Sequence, residues 1–189
     1  MTVTTLDANT ALLVIDLQTG IVALPALAGQ LSGVIRQAAT LAGAFRRHAL
    51  PVVLVNVTGG PPGRTERPRT RSTVTPADAA FCPELNRQPQ DHVVTKTTPG
   101  AFTRTGLEAY LRSRSVTQVV LAGVATSNGV EVTARQAYEL GFNVTLAIDA
   151  MADADAEAHA WSLGRVFPRL GETGTTQDIL TLLDGSSRS

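Results

Sequence analysis

Cysteine is nearly absent. A single residue, Cys82, leaves no partner for an internal disulfide and too few thiols for a cysteine-based zinc site. Net charge is missing as well, since 16 lysines and arginines balance 16 aspartates and glutamates. No global field therefore draws the chain to nucleic acid or to an anionic membrane. Aromatic residues make up 4%, and none interleave with a basic patch, so no nucleic-acid recognition motif is present. His48, His92 and His159 are scattered, and none pairs with aspartate at metal spacing. No apolar run approaches the length of a membrane span. The segment Met1-Thr-Val-Thr-Thr-Leu-Asp7 has neither a basic region nor a long apolar stretch, which makes a cytoplasmic location the expectation.

What remains fits an ordinary soluble globule: 43% hydrophobic and 17% charged residues. A chain of 189 residues is expected to form one domain, residues 1–189, with a sizeable core. Short apolar runs alternate with amphipathic stretches. Residues 11–15, 51–57, 92–96, 118–122 and 143–148 read as strands, with a last short unit at 170–173. Their near-continuous apolar character suits parallel strands buried on both faces. Helical spacing covers about residues 29–48, 105–114, 127–140, 154–167 and 176–183. Gly141 and Pro168 read as helix stops, and Thr175 with Asp178 as a cap. Strand–helix alternation predicts an α/β fold, a parallel sheet of six strands with helices on both faces. Residues 58–89, rich in proline and glycine, read as a long irregular loop, and residues 185–189 as a frayed tail.

Three places carry candidate chemistry. Asp16 follows the first apolar run in Val14-Ile-Asp-Leu-Gln18. A carboxylate at a sheet's carboxyl edge serves either acid–base work or the capping of a turn. Lys96 closes the third run in Lys96-Thr-Thr-Pro-Gly-Ala-Phe102, where a lysine is either a solvated edge residue or a cation for the site. Gly129 lies in Leu121-Ala-Gly-Val-Ala-Thr-Ser-Asn-Gly-Val-Glu-Val-Thr-Ala-Arg135, near the start of a helix, where amides carry the positive end of the macrodipole. Arg64, Arg67, Arg69 and Arg71 form either a carboxylate-clamping lid or a solvated loop. Cys82 reads as a small packed residue, and its use as an amidase nucleophile is the weakest reading. Gly59-Gly-Pro-Pro-Gly63 is not followed by the lysine and hydroxyl residue of a phosphate loop.

Together these segments resemble the isochorismatase-like hydrolase superfamily, over about residues 11–183. Its nucleophile segment runs G-[VI]-x-T-x-x-C-V-x-x-T-A-R, and Gly123, Val124, Thr126, Val130, Thr133, Ala134 and Arg135 match it. The nucleophilic cysteine does not match, because position 129 is Gly. The resemblance implies a three-layer α/β/α sandwich with strand order 3-2-1-4-5-6. It implies catalytic roles for Asp16 as acid and base, for Lys96, and for the amide region at Gly129. It implies substrate contacts or support from Gln18, Phe102, Ala125, Thr126 and Asn128, with Phe102 either a pocket wall or core. It also implies a cis peptide at Val124–Ala125. Pro99 and Gly100 depart from the Tyr-Ser usual at those places.

A member without its thiol is either a non-covalent hydrolase, as the true isochorismatases are toward their vinyl ether, or a non-catalytic protein that binds a small ligand or a partner. Gly129 would also open room for a bulkier substrate. Nicotinamidases of the superfamily hold a metal with Asp and His from the long loop; that loop has no His here, so no metal and no cofactor are expected. The expected partners are a small-molecule substrate and further copies of the chain, in a homodimer or larger assembly.

Overall fold

β1, Thr10–Ile15, is buried along its whole length and forms the centre of the molecule. Each aliphatic side chain of this kind contributes about 1.5–3 kcal/mol when fully buried. A computed structural model describes residues 3–27, 29, 31–66 and 73–186. β1 is flanked by parallel neighbours on both edges: β2, Val52–Val57, and β4, Gln118–Val124. β3, His92–Lys96, adds beyond β2, while β5, Asn143–Ala152, and β6, Glu172–Gly174, add beyond β4. The sheet is parallel throughout, in the order 3-2-1-4-5-6.

Alternation along the strands sorts the core into two halves. Leu12, Val14, Leu54, Val120 and Ala122 face one side, which α2, Leu31–Arg47, and α6, Thr176–Ser186, cover. Ala11, Leu13, Ile15, Val53 and Leu121 face the other side, under α3, Leu107–Ser113, and α4, Glu131–Glu139. This is the expected three-layer sandwich.

Several boundaries differ from the sequence reading. A short helix α1, Thr19–Val22, and a 3-10 turn, Pro25–Leu27, follow β1. Both are too short for periodicity to reveal. The segment expected as a helix from residue 127 begins as a π-helical turn, Thr126–Val130, and becomes regular only in α4. β5 continues past Asp149, with a register shift against β4 between Leu121 and Gly123. Asp149 does not end the strand, because its carboxylate accepts from the N–H and hydroxyl of Thr176 and so caps α6. α5, Ala156–Trp161, starts only after Asp155, whose carboxylate accepts from the amides of Glu157 and Ala158. Beyond α5 the chain widens into a π turn, Ser162–Val166, and then tightens into a 3-10 turn, Phe167–Arg169, that contains Pro168. The Thr175–Asp178 cap is present, with each residue's side chain accepting from the other's amide. Gly185 belongs to α6 and not to a frayed tail; residues 187–189 lie outside the described ones.

The long segment after β2 is less irregular than its composition suggests. Cys82 N–H donates to the Leu17 carbonyl, Thr19 N–H to Ala80 and Gly20 N–H to Asp78. Arg46 of α2 grips Asp91 through Nε at 3.0 Å and Nη2 at 2.6 Å, in a largely buried bidentate pair. The described second half of the loop is thereby fastened to the segment after β1.

Gly123 lies opposite Ile15 in the β1–β4 register, with φ at +117°. A Cβ there would sit 2.0 Å from the Ile15 carbonyl oxygen. Gly123→Ala is therefore expected to destabilise the protein by at least about 2 kcal/mol, since backbone strain and steric overlap combine. Urea denaturation beside the wild type measures it.

Candidate active site

Asp16 is the first residue after β1, at the carboxyl edge of the sheet where open α/β sheets bind ligands. Its backbone is left-handed, with φ at +54°, and its N–H donates to the Val55 carbonyl. Aspartate tolerates this conformation better than most residues do. The turn drives the carboxylate inward, where only 7% of the residue is exposed.

Lys96, the last residue of β3, is 2% exposed. Its Nζ lies 2.8 Å from Asp16 Oδ2 and donates to the Pro99 carbonyl at 2.5 Å. Asp16 Oδ1 is buried and has no hydrogen-bond partner. Burial pushes the Asp16 carboxyl up to about 6, against the opposing pull of the Lys96 charge and hydrogen bond.

Gly129 closes the floor. A Cβ on Gly129 would lie 3.0 Å from Asp16 Oδ2, 3.1 Å from the Val124 carbonyl and 3.2 Å from Ile15 Cγ2. A side chain at position 129 would therefore be crowded at its Cβ by Asp16, Val124 and Ile15. The Val124–Ala125 peptide is cis. The turn that follows is held by Asp153, at the end of β5, whose Oδ2 accepts from the Ser127 N–H and hydroxyl at 2.7 Å each.

These groups line a cavity of about 330 Å³. Its floor holds Asp16, Lys96 and Gly129, with Ala125, Asn128, Thr98 and Pro99 on one side. Ile21, Leu24 and Leu27, from α1 and the residues beyond it, add an apolar part of the lining. The residues expected at the site divide accordingly. Asp16, Lys96, Gly129, Ala125 and Asn128 meet there.

Gln18, Phe102 and Thr126 do not line the cavity. The Gln18 amide is consumed by backbone: its Oε1 accepts from Val57 N–H, and its Nε2 donates to the Val57 and Asp78 carbonyls. It ties β2 to the long loop. Phe102 packs in the core beside Phe142, with ring centroids 6.0 Å apart. Thr126 is fully buried, with its hydroxyl 2.8 Å from Nδ1 of His159.

Cys82 is buried in the half of the core under α2 and α6 and does not line the cavity, and burial, aided by Glu84, pushes its thiol up to about 11, where little thiolate forms. Arg64 is exposed, and Arg67, Arg69 and Arg71 lie outside the described residues. Among the described residues, no group of three His, Cys, Asp or Glu side chains is placed to hold a metal ion.

The sequence reading missed Asp153, the Pro99 carbonyl and the apolar lining from α1. Asp153 carried a usable signal, since it follows an apolar strand as Asp16 does. The other two did not, being a backbone atom and a helix of one turn.

The Isochorismatase domain family matches residues 10–178. The chain belongs to the isochorismatase family. It has that family's three-layer α/β/α fold, and the members of the family are hydrolases. A solved isochorismatase family protein from Burkholderia thailandensis superposes with a TM-score of 0.91 at 40% identity, covering 95% of this chain and 98% of the other. The uncharacterized isochorismatase family protein YwoC of Bacillus subtilis is 39% identical over 179 residues, 91% of this chain and 93% of the relative. Streptothricin hydrolase of Streptomyces noursei is 39% identical over 152 residues, which are 78% of this chain and 51% of that enzyme. No helix among the described residues is long and apolar enough to cross a membrane.

In this isochorismatase-family fold the folded state holds a proton on Asp16 up to about pH 6, whereas the unfolded chain releases it near the ordinary 3.8. The contribution of Asp16 to stability is therefore full below the lower value and lost as pH rises through the higher one. Urea titrations across pH 4 to 6 should show stability falling in the wild type, and a flatter profile in Asp16→Asn.

Proposed function

We propose that this chain hydrolyses a small molecule without a covalent intermediate, with Asp16 as general acid and base. The observation that carries this reading is the buried, unpartnered Oδ1 of Asp16, beside a residue 129 that has no side chain to act as nucleophile. A carboxyl group with a pKa near 6 exchanges protons readily at neutral pH. Its Oδ2 is held by Lys96, which leaves Oδ1 as the carboxyl oxygen with hydrogen-bonding capacity to spare.

A vinyl ether such as isochorismate is a concrete substrate for such a site. Protonation of its enol carbon by Asp16 generates an oxocarbenium ion. Water adds to that ion, and the hemiketal collapses to pyruvate and an alcohol. Once Asp16 has given its proton, Lys96 stabilises the carboxylate through Oδ2, and Oδ1 accepts a proton from the attacking water. The ionised carboxylate also stabilises the cationic intermediate electrostatically. The relative named streptothricin hydrolase supports hydrolysis as the reaction type.

The competing reading is a protein that binds a small ligand and leaves it intact. Release of pyruvate from isochorismate decides between the two. Asp16→Ala should lower turnover about 10²–10⁴-fold without unfolding the protein. In the wild type, kcat/KM should fall as pH rises through about 6, because the acid form of Asp16 is consumed. Undiminished turnover in Asp16→Ala would sink the mechanism. A thermal shift with isochorismate and no pyruvate would favour binding alone.

A further inference from the structure

The position of the Lys96 ammonium depends on a turn with no regular structure. Its Nζ reaches the Pro99 carbonyl three residues on, so any movement of residues 97–103 moves the cation against Asp16. Two side chains on one face of α4 hold that turn. Thr133 Oγ1 accepts from Ala101 N–H at 3.1 Å and donates to the Gly129 carbonyl at 2.6 Å. Three residues on, one helical turn along the same face, Gln136 Oε1 accepts from Phe102 N–H at 3.1 Å, and its Nε2 donates to Thr103 Oγ1 at 2.7 Å.

The fit of the Gln136 carboxamide is close. A Cβ on Gly100 would stand 2.2 Å from its Oε1, 2.5 Å from its Cδ and 2.8 Å from its Nε2. The carboxamide therefore fills the volume that any larger residue at position 100 would claim. Gln136 is not among the residues lining the cavity, so it does not itself meet a substrate there.

We propose that Gln136 is a positioning residue: seated in the space left by Gly100, it clamps the turn after β3 and through the Pro99 carbonyl aims the Lys96 ammonium at Asp16. The proposal rests on the reading of Asp16 and Lys96 as the working pair. Thr133 ties the same turn to Gly129, so the cation and the floor of the cavity are both referenced to α4. A Gln136 that served only to stabilise the fold would leave the electrostatics of Asp16 untouched. A clamp would not.

Among the described residues Lys96, from β3, is the charged group acting on Asp16. β2 brings the Val55 carbonyl to the Asp16 N–H, and the 125–129 turn brings Gly129. Lys96 lowers the Asp16 pKa against burial, so loosening Lys96 raises it.

Carboxyl-carbon NMR of aspartate-labelled protein reads this directly and needs no substrate; Asp16→Asn assigns the resonance. Wild-type Asp16 is expected to titrate near 6. In Gln136→Ala the midpoint should rise by roughly one unit. Gly100→Ala, whose Cβ evicts the carboxamide, should shift it the same way. The double variant should move no further than Gln136→Ala alone, because both changes break one device. Gln136→Met keeps the volume without either hydrogen bond and serves if the truncated variant does not fold. A wild type near 6 with unmoved Gln136 variants, or additive shifts from positions 100 and 136, would overturn the clamp alone. A wild-type midpoint at the ordinary 3.8 would overturn the acid–base reading and the clamp with it.

Discussion

A carboxylate and an ammonium 2.8 Å apart, both shut away from bulk water, form the constraint on which the rest of the site depends. Removing either charge from water costs several kcal/mol, and their attraction offsets this only where the geometry is good and the remaining polar atoms are satisfied. Here the satisfaction is incomplete by one atom. Lys96 has Asp16 and the Pro99 carbonyl, whereas Asp16, one of the residues lining the cavity, keeps its buried Oδ1 without a partner. Burial holds the Asp16 carboxyl near 6, although a cation touches it. A group in that condition is costly to the fold and useful to a reaction.

The sheet order makes the pair possible. β1 and β3 are not neighbours, because β2 lies between them. Adjacent strands are about 4.8 Å apart, so roughly 10 Å separates the two chain paths. A long side chain is needed to cross β2, and the lysine stem does so while its tip stays near the end of β1. On the other edge of β1 the problem is the reverse, one of too little space. Gly123 lets the β4 backbone press against Ile15, and Gly129 brings the next turn against Asp16 itself. Asp153 and His159 then hold that turn from the side of β5 and α5.

Much of this was legible in the chain. Buried parallel strands announce themselves as apolar runs, and a carboxylate or lysine at the end of such a run lies at the carboxyl edge of the sheet. Asp16 and Lys96 were found that way, with family resemblance supplying their roles and the strand order. Thr126 shows where such reading stops, while Gln18 and Phe102 take the supporting and core roles that stood beside substrate contact as alternatives. All three lie within or beside the right motifs. Yet Gln18 spends its amide on backbone, Phe102 packs in the core and Thr126 turns to His159. A motif marks a neighbourhood, and the direction of a side chain within it depends on partners distant in sequence. Helix and strand ends also shifted by a residue or more, because Asp149 and Asp155, which the sequence reading did not single out, act as caps on α6 and α5.

By itself the amino-acid sequence determined the class of fold, the alternation of strands and helices, the balance of charge and the loss of the thiol at position 129. Those are properties of composition, period and identity, and they need no third dimension. Only the tertiary structure decided that Asp16 retains an unpaired oxygen, that Lys96 is tied to the Pro99 carbonyl, and that Gly129 stands within close contact of Asp16. It alone brought the Gln136 carboxamide into the space beside Gly100. Each of these turns on distances of a few tenths of an ångström between residues tens of positions apart. Such distances are set by how two layers pack, and nothing local in the chain encodes them.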